Sequence, residues 1–246
     1  VSNLHPEFLL RCIGCGEEYS VNNVIYGCSR CGDLLSVEID LSSIPADLRD
    51  RWKLRPMRSL WKYREMIPIK DDDKIISLNE GATPLYHCRN LSELLKMNKL
   101  YIKFEGQNPT GSFKDRGMTV GVSKALEYGM KSVICASTGN TSASLAAYAA
   151  KANLNCYVVI PSGAVALGKI AQALIYGARV IQIEGNFDRA LTLVRKICLE
   201  LNIYLLNSVN PFRLEGQKTL AYEVWEQLNY TIPDSLIVPI GNAGNI

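Results

Sequence analysis

Apolar positions change their period along the chain. From about residue 100 onward, short and continuously apolar runs recur at 133–136 (Val-Ile-Cys-Ala), 156–160 (Cys-Tyr-Val-Val-Ile), 180–183 (Val-Ile-Gln-Ile), 203–206 (Ile-Tyr-Leu-Leu) and 236–240 (Leu-Ile-Val-Pro-Ile). Their starts lie 23, 24, 23 and 33 residues apart. Between them the spacing turns helical: Leu191, Val194, Cys198 and Leu201 fall at i, i+3, i+7 and i+10 behind Gly185 and Asn186, which predicts a helix with Asn186 as its N-cap. The stretches opening at 113 and 166 run to Gly129 and Gly177, where glycine commonly ends a helix. Strands that are apolar at every position are buried on two faces, so the pattern predicts an α/β fold of parallel strands with helices on both sides. The spacing repeats but the letters do not, which excludes a solenoid.

The first 80 residues follow a different plan. Residues 41–80 mix Pro45, Pro56 and Pro68 with the charged run Asp71-Asp72-Asp73-Lys74 and show no sustained period, so they read as a connecting arm with a solvated acidic loop. Residues 1–40 carry Cys12-Ile13-Gly14-Cys15 and Cys28-Ser29-Arg30-Cys31, twelve residues apart, each followed at once by Gly16 or Gly32. Such a turn aims two thiolates at one cation, and two pairs complete a tetrahedral four-cysteine zinc site. A segment this small lacks a core of its own and needs that staple.

Composition narrows the function classes. Among 246 residues, 48% are apolar and 21% charged, the proportions of an ordinary globular protein. Net charge is +3 from 27 basic and 24 acidic residues, too little for a polyanion surface. Within 8–40, Arg11 and Arg30 face Glu17, Glu18, Asp33, Glu38 and Asp40, so nucleic acid is not an expected partner. With no basic leader and no run of about 18 apolar residues, the cytoplasm is the expected compartment and no membrane the expected surface. Cys88, Cys135, Cys156 and Cys198 stand singly in apolar surroundings and read as small core residues. Neither His5 nor His87 has ligand spacing, and no Ser–His–Asp set suggests a hydrolase.

Chemistry concentrates at three strand–helix junctions. In Asn108-Pro109-Thr110-Gly111-Ser112-Phe113-Lys114-Asp115-Arg116-Gly117, two turn formers deliver Lys114 into the first turn of a helix opening at about 113. A cation there opposes the helix dipole, which favours the neutral, nucleophilic amine. Ser137-Thr138-Gly139-Asn140-Thr141 follows one strand and precedes an Ala-rich helix over 143–152, where a carboxylate is stabilised by free amides. Gly241-Asn242-Ala243-Gly244-Asn245 follows the fifth apolar run and has the small residues of a phosphate cup. Open α/β sheets bind ligands at the carboxyl ends of their strands. An amine, an anion loop and a phosphate cup together fit pyridoxal phosphate, with Phe113 as a contact for its ring.

These motifs, together with Asn-Ser-Val-Asn-Pro-Phe-Arg-Leu-Glu-Gly-Gln-Lys-Thr at 207–219, resemble the threonine synthases, of the fold type II pyridoxal phosphate enzymes (tryptophan synthase β-like). The resemblance runs from about residue 80 to the last residue. It implies a zinc-ribbon-like segment at 1–40, an arm at 41–80 and a cofactor-binding α/β region over 81–246. Lys114 would carry the cofactor and act as base and acid, Phe113 would pack on its ring, and Asn140 would bond its ring oxygen. Gly241, Asn242, Ala243, Gly244 and Asn245 would hold its phosphate. Ser137, Thr138 and Thr141 would bind the substrate carboxylate, and Asn207, Ser208, Arg213 and Asn242 the substrate's own phosphate. Cys12, Cys15, Cys28 and Cys31 would hold zinc. The implied reaction converts O-phospho-L-homoserine and water to L-threonine and phosphate, in a homodimer. Family members continue past the glycine cup, so the resemblance also implies a truncated catalytic fold and a missing partner for the pyridine nitrogen. Cysteate synthase, threonine dehydratase, and a zinc-ribbon interaction module on an inactive α/β domain are the alternatives.

Overall fold

The computed structural model describes residues 6–163, 167–241 and 244. Three strands, β1 (Phe8–Cys12), β2 (Glu18–Ser20) and β3 (Leu35–Ile39), form an antiparallel sheet in the order β2-β1-β3. Helix α1 (Leu48–Leu54) and 3-10 turns at Leu60–Met66 and Asp72–Lys74 follow. Strand β4 (Leu85–His87), helix α2 (Arg89–Leu94) and β5 (Tyr101–Lys103) make a small hairpin unit, with β4 and β5 antiparallel. The α/β body then runs α3 (Lys114–Glu127), β6 (Ser132–Ala136), α4 (Asn140–Lys151), β7 (Asn155–Pro161), α5 (Leu167–Ile175), β8 (Arg179–Ile183), α6 (Phe187–Leu201), β9 (Tyr204–Leu205), α7 (Pro211–Gln217) and α8 (Thr219–Gln227).

The parallel sheet has the order β8-β7-β6-β9 and is covered on both faces. Val133, Cys135, Val158 and Ile160 point into a core with α3, α4 and α5. Their neighbours Ile134, Ala136 and Val159 point the other way, against Ala190, Val194 and Cys198 of α6. In β6 and β7 the side chains alternate but both sides meet a helix, which is why their letters read as continuously apolar; the edge strand β8 leaves Ile181 and Gln182 exposed. The Asn186 side chain caps α6 by accepting from Arg189 N at 3.0 Å, and Gly129 and Gly177 take positive φ just past α3 and α5, as the spacing predicts. Leu201, at the end of the α6 stripe, is exposed.

Three expectations are corrected. Residues 236–240 form no strand: Leu236, Ile237 and Ile240 are 56%, 92% and 67% exposed. An apolar run becomes a strand only where another strand pairs with it along its length, and none of the strand pairings among the described residues includes this run. The segment 41–80 is more than an arm, because Leu48, Trp52, Leu60, Tyr63, Ile67 and Ile69 are buried. Its short turns insert side chains singly, which leaves no period to read. Cys135, Cys156 and Cys198 are core residues, whereas Cys88 is half-buried at the start of α2, its thiol facing the Tyr86 carbonyl. The acidic run is an exposed 3-10 turn capped by Asp71.

The cysteine-bearing sheet shares its core with the body. Leu10, Cys12, Val21, Cys28 and Leu35 pack in one cluster with Leu60, Ile67, Ile69, Val120 and Phe212. Tyr128 Oη donates to the Val21 carbonyl at 2.6 Å, and Leu205 N of β9 donates to Tyr26 Oη at 2.8 Å. Among the described residues, no helix is long and apolar enough to cross a membrane.

Candidate active site and metal site

Lys114 opens α3. Ser112 Oγ accepts from Lys114 N at 3.3 Å, and Phe113 occupies the cap position, one residue later than a Ser112 cap would place it. The ammonium lies 4.1 Å from the centre of the Phe113 ring, and no ion pair reaches it among the described residues. Its pKa is pushed down to about 8, first by burial and second by the guanidinium of Arg213. The direction agrees with the sequence; the causes are burial and a second cation rather than the helix dipole.

Arg213 reaches Lys114 because α3 and α7 cross closely on glycine. A Cβ on Gly117 would stand 2.9 Å from the Arg213 carbonyl oxygen, one on Gly121 3.3 Å from Arg213 Cγ, and one on Gly216 would collide with the Arg116 carbonyl. Arg213 is 3% exposed, its Nε lacks a hydrogen-bond partner, and no carboxylate pairs with it among the described residues. Burial pushes the guanidinium down to about 10. Two neighbouring cations without a counter-charge are the electrostatic description of an anion site.

The turn after β6 completes this end of the sheet. Gly139 precedes α4 with no side-chain cap, so the first amides of a twelve-residue helix stay open to a ligand. Ser137, Thr138 and Thr141 are half-buried around them and Asn140 is exposed. Ser137 Oγ accepts from Gly139 N, and Ser142 Oγ donates to the Gly139 carbonyl. Asn207, expected on a substrate phosphate, has its amide committed: Nδ2 donates to the Ala136 carbonyl and Oδ1 accepts from Ala136 N, both at 2.9 Å. It extends the pairing of β6 with β9 through a side chain. Ser208 is exposed beside it.

Of the expected cup, Asn242, Ala243 and Asn245 lie outside the described residues. Gly241 is exposed, and Gly244 sits against α7, where an added Cβ would meet Gln217 Oε1 at 3.2 Å and Leu214 Cδ2 at 3.4 Å. That Gln217 oxygen is itself buried and has no hydrogen-bond partner among the described residues. Gly244 and Phe113 line one cavity of about 1370 Å³, together with Arg116, Leu214 and Gln217; Lys114 is not part of its lining. Helix α7 thus touches both regions, Arg213 toward Lys114 and Gln217 toward Gly244.

Sequence reasoning missed the buried ionic network beneath this turn. Arg116 pairs with Glu105 at 2.7 Å and Glu223 at 2.6 Å, and Glu223 also pairs with Lys103 at 2.7 Å. The partners lie up to 120 residues apart, a separation that leaves no local signal.

At the other end of the molecule the thiols of Cys12, Cys15, Cys28 and Cys31 lie within 4.8 Å of one another. Cys12 and Cys31 sulfurs are 3.4 Å apart and those of Cys15 and Cys28 3.5 Å, close to the roughly 3.8 Å edge of a tetrahedron built on Zn–S bonds of about 2.3 Å. Gly16 and Gly32 take φ of 75° and 81°, the left-handed turn each knuckle needs.

Residues 76–246 match the family model described as pyridoxal-phosphate dependent enzyme. A threonine synthase of Methanocaldococcus jannaschii is 57% identical over 97% of this chain and 58% of that protein. A threonine synthase of Methanosarcina acetivorans is 56% identical over 96% of this chain and again 58% of its own length. The chain therefore spans about three-fifths of the curated relatives it matches. Among solved structures, maize serine racemase superposes with a TM-score of 0.60 at 27% identity, over 66% of this chain and 49% of that one. This chain's parallel sheet and half-buried Lys114 amine accord with that match, and the chain belongs to the pyridoxal-phosphate dependent enzymes.

Proposed function

We propose that this chain carries the amine-bearing part of a threonine synthase, which converts O-phospho-L-homoserine and water to L-threonine and inorganic phosphate. The observation that carries this reading is Arg213: a buried guanidinium that, among the described residues, has an orphan Nε and no carboxylate, beside a lysine whose ammonium is likewise unpaired among them. A phosphorylated substrate needs such a site; an unphosphorylated hydroxy-amino acid does not.

The residues present fit the cofactor. Lys114 offers an amine that is substantially neutral near pH 8, Phe113 a ring face beside it, and Gly241 to Asn245 the small residues for a phosphate cup. Bound pyridoxal phosphate supplies an electron sink, which makes protons near the amino carbon removable. Lys114 Nζ takes and returns the proton as the partly neutral amine its burial favours. The open amides of α4, with Ser137, Thr138 and Thr141, hold the substrate carboxylate, and Asn140 would hydrogen-bond the ring oxygen of the bound cofactor. Arg213 and Ser208 hold the phosphate that leaves, with Asn242 following from the family motif. Asn207 acts behind them by fixing the end of β6. Cys12, Cys15, Cys28 and Cys31 hold one structural zinc, and two copies form the working dimer.

The test is the spectrum and covalent labelling of the chain with added pyridoxal phosphate. Borohydride fixation should place one pyridoxyl group on Lys114, and Lys114→Ala should abolish it. Equal labelling of both proteins removes the assignment. Product analysis with phosphohomoserine, in the chain carried to the length of its relatives, separates threonine formation from cysteate formation on phosphoserine and sulfite.

A further inference from the structure

Asp115 follows the reactive lysine, is fully buried, and makes no ion pair among the described residues. Its carboxylate accepts three hydrogen bonds instead. Thr110 N reaches Oδ2 at 2.7 Å, Thr110 Oγ1 reaches Oδ1 at 2.6 Å, and Ser144 Oγ reaches Oδ1 at 2.5 Å. The first two close the turn from Thr110 to Asp115; the third crosses to α4. On its other side, the Thr110 carbonyl accepts from Lys169 Nζ of α5 at 3.2 Å. A solvated acid in a first helical turn needs none of this, and a buried acid is stable only when its lone pairs are met.

The geometry places both halves of the site on this one carboxylate. Lys114 leaves the chain between Ser112 and Asp115, and Ser144 lies one turn into α4, whose N-terminus carries the open amides and Ser137, Thr138 and Thr141. We propose that Asp115 is a positioning residue that locks the lysine turn to α4, holding the reactive amine in register with the carboxylate-binding loop. This rests on Lys114 as the reactive amine. The charged and titratable groups facing the clamp are Lys169 from α5 and Tyr148 on α4; Arg213 on α7 faces Lys114.

The clamp is tested without cofactor, by competitive acetylation of Lys114 across pH with mass-spectrometric readout. Thr110→Val and Ser144→Ala add and delete no ionisable group and remove one clamp bond each. In the intact chain the Lys114 midpoint should lie near pH 8. In each variant the loosened amine should titrate about one pH unit higher, leaving about tenfold less free amine at pH 7. Thr110→Ser, which keeps the hydroxyl, should restore the original midpoint. Melting temperatures recorded alongside separate the roles: lower melting with an unmoved midpoint would mean a merely structural carboxylate and overturns the proposal. So does an ordinary lysine midpoint in the intact chain. Acetylation at pH 8 with no pyridoxyl labelling of Lys114 would instead count against the proposed function and leave the clamp standing.

Discussion

Replacing Arg213 with methionine should stabilise the ligand-free protein while destroying its affinity for phosphate. Burial lowers the guanidinium from an ordinary value of 12.5 to about 10, a displacement worth about 3 kcal/mol at about 1.4 kcal/mol per unit. The sign follows from linkage. A cation whose folded pKa is depressed is charged in both states at pH 7, so its cost is present in full there and is relieved only as pH rises through about 10. Met fills the aliphatic part of the site against Gly121 and leaves no charge behind. Allowing for lost packing, Arg213→Met should gain about 1–3 kcal/mol, a melting rise of roughly 3–9 °C for a chain of this size. Phosphate at a hundred times its dissociation constant should stabilise the parent by about 2.7 kcal/mol and the variant not at all. Thermal melts with phosphate against chloride at matched ionic strength read both effects. A variant that melts lower than the parent, and still gains from phosphate, would show that the guanidinium is a satisfied part of the α3–α7 contact and no anion anchor.

Three further outcomes follow from the packing. Chelation should release one zinc per chain and lower a single cooperative melting transition, because Cys12 and Cys28 share a core with Val120 and Phe212; a separate early transition with the main one unmoved argues for an independent ribbon. Gly216→Ala should cost about 1–3 kcal/mol in urea unfolding, since its Cβ meets the Arg116 carbonyl, and unchanged stability would refute the close α3–α7 crossing. Glu223→Leu should cost about 3–5 kcal/mol by stranding Lys103 and removing one of the two carboxylates of Arg116, whereas a loss below 1 kcal/mol would mean water reaches the network.

What could be read from the sequence was local. Strands β6 and β7 were legible because burial on two faces erases polar alternation, and the turn carrying Lys114 because Asn108-Pro109 and Gly111 punctuate it. Residues 236–240 carry the same kind of letters but form no strand, since pairing is decided by a neighbour far away in the chain. The lowered pKa of Lys114 could be given its direction from position in a helix; its second cause, Arg213, stands 99 residues on. Asn207 sits in a motif that suggests a ligand, yet its amide completes a strand, a substitution of side chain for backbone that no spacing announces. The helices of 41–80 stayed hidden because their buried residues enter the core one at a time.

The bare charges at the site are not explained by a shortage of acids. Helix α3 carries Lys114 and Arg116 two residues apart, one toward Arg213 and one toward the interior. Arg116 has two carboxylates, Glu105 and Glu223, and two threonine hydroxyls, Thr83 and Thr219, around a single guanidinium. Asp115, between them, points its carboxylate at hydroxyls and an amide rather than at Lys114 or Arg213. Buried cations are ordinarily matched by anions or lose their charge. Helix α3 satisfies that rule completely at Arg116 and, among the described residues, leaves it unmet at Lys114, as α7 does at Arg213; burial and Arg213 lower Lys114, and burial lowers Arg213. A fold able to pair one arginine twice over has the means to pair another; that no acid among the described residues pairs Arg213 makes sense when the missing negative charge arrives with a ligand.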